Sequence, residues 1–285
     1  MATEMKIRIR HTLKFQYDRL VFLEPLTVRL RPRSDHAQRL LAFKVHVEPE
    51  PIHWADVLDP VGSVVRVNVF EGMHRELTVY TRATVETSLR NPFQYLINEA
   101  GAAQLPATYM EPERAVLRPY IDGPDSPAEV SGLANELQRE SGADTATFLR
   151  LAVMRVSRVC QQINRNEGPP WPPGLTLRRG EGACRDLTIV FIALCRTVGL
   201  AARFVSGYQV TPNASTQPEL HAWAEVYLPG GGWRGYDPSA GLATADRHVP
   251  VASAPDSAGA EPTAGTYRGN SAASRLSFRL RVEHE

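Results

Sequence analysis

The chain has 285 residues, which is longer than a typical single domain and long enough to bury a substantial core. Its 32 Lys and Arg residues balance its 31 Asp and Glu residues, and neither sign gathers into a long block. This even charge distribution gives no sign of a nucleic-acid surface or of a strongly acidic partner. We therefore expect two folded domains and no nucleic-acid partner.

Cysteine usage and hydropathy bear on the cellular compartment. The three cysteines, Cys160, Cys184 and Cys195, are an odd number and lack Cys-x-x-Cys spacing, which argues against a disulfide framework and against a thiolate zinc site. The N-terminal segment lacks the apolar stretch of a signal peptide, and no apolar run approaches the length that crosses a bilayer. On these grounds we expect free thiols, a cytoplasmic location and no membrane association.

The first part of the chain has the pattern of a β-domain. Between Met5 and Leu89, apolar and polar residues alternate in short runs that are bounded by Pro, Gly, Asp or Asn. Several strands without an intervening helix predict an antiparallel β-sandwich over residues 1–90. Its histidines match no metal motif, so we expect structural or surface roles for His11, His36, His46, His53 and His74.

Helices are predicted after a proline-punctuated linker over residues 91–125. The sequence from Ser126 to Glu129 has the form of a capping box and predicts a helix that ends at about Glu140. Asp144 is a candidate N-cap for a second helix, whose apolar stripe extends to Ile163. A rigid, proline-rich loop over residues 167–174 then leads the chain to a third helix, and loops in such places often line clefts.

The third helix is predicted to begin at Cys184. Two glycines and an alanine lead into this cysteine, apolar residues follow at helical spacing, and Gly199 closes the helix as a C-cap glycine would. Unpaired N–H groups and the positive end of the helix dipole stabilise a thiolate at such a position. Cys184 is therefore a candidate nucleophile, whereas Cys160 and Cys195 are expected to be small core residues.

Three strands are predicted after this helix: 202–210, 221–228 and 233–238. The glycine turn between the last two is expected to set Tyr227 opposite Trp233. In that register, His221 is the diagonal neighbour of Asp237 on the same face of the hairpin. An imidazole and a carboxylate placed in this way can form a hydrogen bond.

The end of the chain is predicted to hold little regular structure. Residues 251–269 are rich in Ala, Ser, Pro and Gly and indicate a surface loop, and residues 275–282 alternate as a strand whose sheet is unassigned. The predicted organisation is thus a β-sandwich, a linker, a core and a terminal loop with one strand, over residues 1–90, 91–125, 126–250 and 251–285.

Cys184, His221 and Asp237 together have the composition of a nucleophile, a general base and an orienting group. Such a triad permits acyl transfer through a thioester, with the backbone N–H of Cys184 as one oxyanion donor. Trp171 and Gln161 are candidates for a second donor. Taken singly, each triad residue also fits a structural role, because lone cysteines and histidines in intracellular proteins are mostly packing or hydrogen-bonding residues.

Four separated blocks carry a family resemblance: Gly-Ala-Cys-Arg-Asp, Gly-Leu-Ala-Ala-Arg-Phe-Val-Ser-Gly-Tyr, His-Ala-Trp-Ala-Glu-Val-Tyr-Leu-Pro and Gly-Trp-Arg-Gly-Tyr-Asp-Pro-Ser-Ala-Gly. Their order resembles the bacterial branch of the transglutaminase-like superfamily, and the strand-rich first domain resembles the N-terminal β region of that branch. The resemblance implies an α+β fold with a papain-like core. It also implies that Cys184 is the nucleophile, His221 the general base and Asp237 its partner. Arg185 departs from the Gln of many relatives.

The resemblance implies a thiol-dependent hydrolase of amide or peptide bonds that acts on a peptide or protein substrate. Two alternatives are an acyltransferase that passes a glutamine-type acyl group to an amine, and a non-catalytic binding module with the same fold. Acidic clusters of calcium-site spacing are not found in the sequence, so we expect no metal and no other cofactor.

Four more residues of the core receive structural interpretations. Asp186 is expected to stabilise the N-terminus of the third helix, and Arg203 to pair with a buried carboxylate rather than to bind substrate. Trp223 and Tyr236 are expected to pack around the hairpin.

Overall fold

The computed structural model describes residues 4–123, 126–165, 168–210 and 219–284. Helices pack on largely antiparallel sheets, so the predicted α+β class is confirmed. Across these ranges, no helix combines the length and the apolar character that crossing a membrane requires.

The elements fall into three groups along the chain. The first contains six strands: β1 Met5–Leu23, β2 Leu26–Val28, β3 Gln38–Glu48, β4 His53–Leu58, β5 Val64–Val69 and β6 Met73–Thr87. The second contains most helices: α1 Ala100–Ala103, α2 Glu113–Ile121, α3 Ala128–Glu140, α4 Thr145–Val159, β7 Gln161–Gln162, α5 Pro173–Arg179, β8 Glu181–Gly182 and α6 Cys184–Thr197. The third is again strand-rich: β9 Ala202–Gln209, β10 His221–Leu228, β11 Gly232–Asp237, β12 Leu242–Ala243, β13 His248–Ala254, a 3₁₀ turn at Ala258–Ala260, β14 Thr263–Ala264, β15 Tyr267–Arg268 and β16 Ser274–His284.

Two antiparallel sheets form the N-terminal region. In the first, β3, β6 and β1 lie side by side, and β16 and β15 pair with the other edge of β1; in the second, the order is β14, β2, β5 and β4. Leu13 and Val79 of the first sheet share a buried cluster with Val28 and Phe70, which lie in or beside the second sheet. Alternation gives each sheet one apolar face, and these faces cover each other in this cluster.

The C-terminal segment completes both N-terminal sheets. The unassigned strand is β16, which pairs with β1 over eleven residues, from Ile7 opposite His284 to Tyr17 opposite Ser274. The predicted loop over residues 251–269 is wrong in part. Its first four residues belong to β13, which is buried along its whole length, and it also contains the 3₁₀ turn, β14 and β15. Small Ala and Ser side chains fit between packed layers there, and their composition resembles that of a loop.

Two further sequence predictions need correction. The linker is not irregular throughout, since it contains α1 and α2. The capping box at Ser126 is absent: Pro127 is the N-cap of α3, and the Ser126 hydroxyl lies 2.7 Å from the Thr197 hydroxyl. Asp144 does cap α4 as predicted, accepting a 2.8 Å hydrogen bond from the Thr147 N–H, but the helix ends at Val159.

The core domain is a five-stranded antiparallel sheet in the order β12, β11, β10, β9 and β13, with helices packed against it. The side chains of Leu187, Phe191 and Leu194 make α6 the buried centre of this domain. Gly199 follows the helix end at φ 80°, and a Cβ there would lie 2.5 Å from the Ala107 carbonyl oxygen. Only glycine fits both conditions, as the C-terminal signal in the sequence predicts.

The two domains are joined by apolar and polar contacts. Ile7 and Ile9 of β1 share a buried cluster with Tyr208 of β9 and Val249 of β13. Close to this cluster, His11 Nδ1 lies 3.2 Å from the Tyr208 hydroxyl. The first N-terminal sheet therefore packs directly on the edge of the sheet that carries the candidate site.

Candidate active site

Cys184 is the first residue of α6 and is partly buried. Asp186, in the same helical turn, is fully buried, and its Oδ2 accepts a 2.7 Å hydrogen bond from the Ala183 N–H. Its other oxygen accepts bonds of 2.6 Å from Arg165 and 2.7 Å from the Trp171 N–H. Asp186 therefore stabilises the helix N-terminus as predicted, and it also fixes the loop that precedes the cysteine.

The hairpin of β10 and β11 has the predicted register, with Tyr227 opposite Trp233. This register brings His221 and Asp237 together, and His221 Nε2 lies 2.7 Å from Asp237 Oδ2. The prediction that these two side chains meet on one face of the hairpin is thus confirmed.

Asp237 is completely buried, and both of its oxygens accept hydrogen bonds. Oδ1 accepts bonds of 2.9 Å and 3.2 Å from the N–H groups of Ser239 and Ala240, which fixes the carboxylate plane. Oδ2 faces His221 and, at 3.1 Å, His248 Nε2. Burial alone raises the pKa of Asp237, but the charges and hydrogen bonds of the two histidines outweigh burial and hold this pKa well below its ordinary value.

The environment of His221 favours its protonated form. Burial lowers the pKa of His221, whereas the charge of Asp237, the hydrogen bond to that carboxylate and a hydrogen bond with Cys184 raise it, and the result is a pKa of about 10. Because Nε2 is bound to Asp237, Nδ1 is the ring nitrogen that remains for the thiol. The structure therefore places Cys184, His221 and Asp237 in one hydrogen-bonded series.

His248 is a neighbour of the triad that the sequence did not reveal. It is the first residue of β13, and the pairing of β13 with β9 sets it opposite Gln209. Its ring also contacts Trp223 edge-on, with ring centroids 5.3 Å apart. His248 follows Asp237 by only eleven residues, but β13 pairs with β9 rather than with the hairpin and overlaps a predicted loop, so no spacing signal identified this contact.

His221, Asp237 and His248 each offer a ligand atom within 4.8 Å of the other two, which is compatible in size with a metal site. Both imidazole Nε2 atoms already lie at hydrogen-bond distance from the same carboxylate oxygen. Asp237 Oδ2 thus accepts hydrogen bonds from two imidazole N–H groups, and these bonds take the place that a metal ion would occupy. We therefore interpret the cluster as a hydrogen-bond network.

A cleft of about 570 Å³ lies between the two domains and contains the candidate nucleophile. Cys184 and His221 line it from the core, together with Gly168–Pro170 of the proline-rich loop, as predicted for that loop. Of the loop's predicted range, residue 167 lies outside the described residues. The other wall comes from β1 and β16 of the N-terminal region.

Gln162 is a better candidate for the second oxyanion donor than Trp171 or Gln161, the two residues that the sequence suggested. Gln162 lines the cleft beside Cys184. Gln161 and Trp171 are not among the residues that line the cleft, and the Trp171 ring contacts two guanidinium groups, 4.7 Å from that of Arg165 and 4.4 Å from that of Arg179. The alternation of β7 explains why neighbouring glutamines differ in this way.

The remaining sequence assignments in the core are confirmed. Cys160 and Cys195 are buried, and burial raises the pKa of the Cys160 thiol to about 11 and that of Cys195 further. Arg203 forms a 2.6 Å ion pair with the buried carboxylate of Glu225, which also binds Arg33 of the N-terminal region. Burial raises the pKa of Glu225, but these two guanidinium groups lower it to about 2.

The aromatic residues of the hairpin are packing residues, as expected. Trp223 and Tyr236 are buried, and Tyr236 stacks on Phe191 of α6 with ring centroids 5.5 Å apart. This contact couples the sheet to the helix that carries Cys184.

Family comparisons agree with this architecture. Residues 131–238 match the model of the transglutaminase-like superfamily, and residues 7–86 match that of the bacterial transglutaminase-like N-terminal region. The chain belongs to the transglutaminase-like superfamily. The N-terminal region and the core thus both match this family, and the candidate triad lies within the range of the core model.

Relatives extend the likeness over nearly the whole chain. An uncharacterized protein of Mycobacterium tuberculosis is 25% identical over 93% of this chain and 88% of its own length. An uncharacterized protein of Mycobacterium leprae is 23% identical over 94% of this chain and 95% of its own length. A crystal structure described as a candidate cysteine protease from Cytophaga hutchinsonii has a TM-score of 0.73 at 21% identity, covers 99% of this chain and 91% of its own, and shows the same fold.

Proposed function

We propose that this transglutaminase-like protein is a thiol-dependent hydrolase of amide or peptide bonds. The observation that supports it is the series from Cys184 to His221 to Asp237, whose first two members face one cleft. Asp237 holds the His221 ring by Nε2 and stabilises its positive charge, and the start of α6 stabilises negative charge on the Cys184 sulfur. An ion pair of thiolate and imidazolium is the reactive form.

The reaction proceeds through a thioester. The Cys184 thiolate attacks the carbonyl carbon, a C–S bond forms, and the carbonyl oxygen becomes an oxyanion held by the Cys184 N–H and the Gln162 side chain. His221 then donates its Nδ1 proton to the amide nitrogen, the C–N bond breaks and the amine leaves. Water next attacks the thioester while His221 takes up its proton, and the acid and the free thiol are released.

Hydrolysis is favoured over transfer to an amine because the cleft, of about 570 Å³, has room for water beside the thioester. The side chains of Glu219 and Glu261 are among the polar groups that line it. The structural neighbour from Cytophaga hutchinsonii, described as a candidate cysteine protease, agrees with this choice.

A peptide-amide assay with an added primary amine tests the proposal. We expect mass spectrometry to find acid as the main product, and Cys184→Ala to lose turnover by a factor on the order of 10³ or more. Cys160→Ala is the matched control, because Cys160 lies in the core away from the cleft, and it should retain turnover.

Two results would overturn hydrolysis. An amide adduct in place of acid would establish an amine-accepting acyltransferase instead. A protein without turnover whose three cysteines are labelled equally slowly by iodoacetamide would be a non-catalytic binding module, because a catalytic thiolate at Cys184 reacts faster than the buried thiols.

A further inference from the structure

One face of the first N-terminal sheet packs on different parts of the molecule at different points along β1. Strand alternation puts Ile9, Leu13 and Phe15 on the same face of β1. At Ile9 this face packs on the core domain, and at Leu13 it contacts the cluster shared with the second N-terminal sheet. Phe15 lies further along this face and is only partly buried against the same cluster as Leu13.

Two large apolar residues of β16 lie beside Leu13 and Phe15 in the sheet. Phe278 pairs with Leu13 and Leu276 pairs with Phe15, so the four side chains form two cross-strand pairs on one face. Phe278 is 38% exposed and Leu276 is 51% exposed. We call these four residues the apolar wall.

The apolar wall faces the candidate nucleophile. All four of its residues line the same cleft as Cys184 and His221. Clustered apolar side chains that remain in contact with water are stabilised when a ligand covers them, and such patches commonly mark binding sites. The position of the wall within the reaction cleft indicates that the substrate is what covers it.

The cleft also has the groups that a peptide backbone requires. Polar side chains from outside the first N-terminal sheet line it: Gln162, Asn164, Arg185, Glu219 and Glu261. A peptide presents amide donors and acceptors together with side chains, whereas a purely hydrocarbon ligand would leave these polar groups unpaired. The apolar wall and these polar groups together therefore match a peptide with a large apolar side chain.

We propose that the substrate is a peptide with an aromatic or branched aliphatic side chain close to the scissile bond, and that this side chain binds to the apolar wall. The inference rests on the proposed hydrolase function and names its substrate class. It assigns the N-terminal domain a role in specificity, since Leu13, Phe15, Leu276 and Phe278 all belong to that domain's first sheet.

Matched peptide amides that differ at one residue test the proposal. We expect kcat/KM to be roughly tenfold or more higher with Phe or Leu than with Ser or Asn at that residue. Phe278→Ala and Leu276→Ala should remove most of this preference, mainly by raising KM for the Phe and Leu peptides. Leu58→Ala is the matched control, because Leu58 is 72% exposed on β4 and does not line the cleft.

A second measurement separates this inference from the proposed hydrolysis. The rates at which iodoacetamide and its N-phenyl derivative alkylate Cys184 report on the wall without any turnover. We expect the phenyl reagent to react faster with the wild type, and this advantage to disappear in Phe278→Ala and Leu276→Ala. If that pattern appears although no peptide is cleaved, the hydrolase proposal fails and the binding role of the wall stands.

Two outcomes would overturn the inference. One is turnover of all peptides at similar rates, with both wall variants unchanged in turnover and in alkylation. The other is a dimer that Leu276→Ala dissociates, because a second copy of the chain would then be what covers the wall. Leu276 is half exposed, so its replacement leaves the fold intact, and circular dichroism of each variant checks this.

Discussion

The two sides of the cleft differ in how firmly their residues are held. On the core side, Asp237 is fully buried and accepts hydrogen bonds at both oxygens, so the position of His221 is fixed by several contacts at once. On the N-terminal side, Phe278 and Leu276 lie on an edge strand and remain partly exposed. Catalysis requires fixed polar geometry, whereas apolar recognition tolerates adjustment, so each proposed role suits the side of the cleft to which it is assigned.

The sharpest test of the core side is the replacement Asp237→Asn. An amide keeps the shape of the carboxylate but removes the charge that stabilises the His221 imidazolium, so we expect turnover to fall by a factor on the order of 10³ to 10⁴. Peptide-amide hydrolysis measures this loss. An activity within tenfold of wild type would show that Asp237 does not orient the base.

The pH dependence of stability is a second test of the core side. The pKa of His221 is raised from its ordinary 6.5 to about 10 in the folded protein. Its contribution to stability is therefore fully present below pH 6.5 and is lost as the pH rises through about 10. We expect the difference in free energy of unfolding between wild type and His221→Gln to shrink over this range.

Denaturant titrations of both proteins from pH 6 to pH 10 measure that difference. His221→Asn is a second variant that should give the same trend, because it also lacks a titrating ring. A difference that stays constant with pH would contradict the ion pair of His221 and Asp237.

Replacing Arg33 tests how strongly the N-terminal region is bound to the core domain. Its guanidinium binds the buried Glu225 carboxylate, with a second contact of 3.2 Å from Nη1 to Oε2. In Arg33→Leu, the buried Glu225 carboxylate keeps Arg203 but loses its other guanidinium partner. We therefore expect a loss of about 1–3 kcal/mol in the free energy of unfolding.

Arg39→Leu is the matched control for Arg33. Arg39 pairs with Glu86 on the surface of the first sheet and its side chain is 69% exposed, so solvent screens this pair and its replacement should change stability much less. Equal effects of the two replacements, measured by urea unfolding, would show that the domain contact at Glu225 is not a strong one.

His248 provides the smallest expected effect. His248→Gln removes one of the two imidazoles on Asp237 and leaves the His221 contact in place. A single hydrogen bond contributes about 0.5–1.5 kcal/mol, so we expect turnover to fall by roughly tenfold at most. A positioning role should also shift the pH profile of turnover, whereas a purely structural role would change stability alone.

Local sequence predicted the elements whose signals are short-range. The start of α6 at Cys184, the Asp144 cap and the register of Tyr227 opposite Trp233 depend on residues that are near one another in the chain. The same holds for the meeting of His221 and Asp237, because a tight turn fixes which residues of a hairpin are neighbours. Where a short-range rule failed, as with the capping box at Ser126, an adjacent proline and a tertiary partner took precedence.

The sequence by itself determined the α+β class, the family and the candidate triad of Cys184, His221 and Asp237, because periodicity, turn residues and motif order are properties of neighbouring positions. Only the tertiary structure decided that His248 joins Asp237 and that β16 returns to β1, beside the cleft. β1 and β16 lie at opposite ends of the chain, and His248 is positioned by the pairing of β13 with β9 rather than with the hairpin. Strand pairing depends on which apolar faces cover each other in the folded protein, and an alternating pattern alone does not specify its partner.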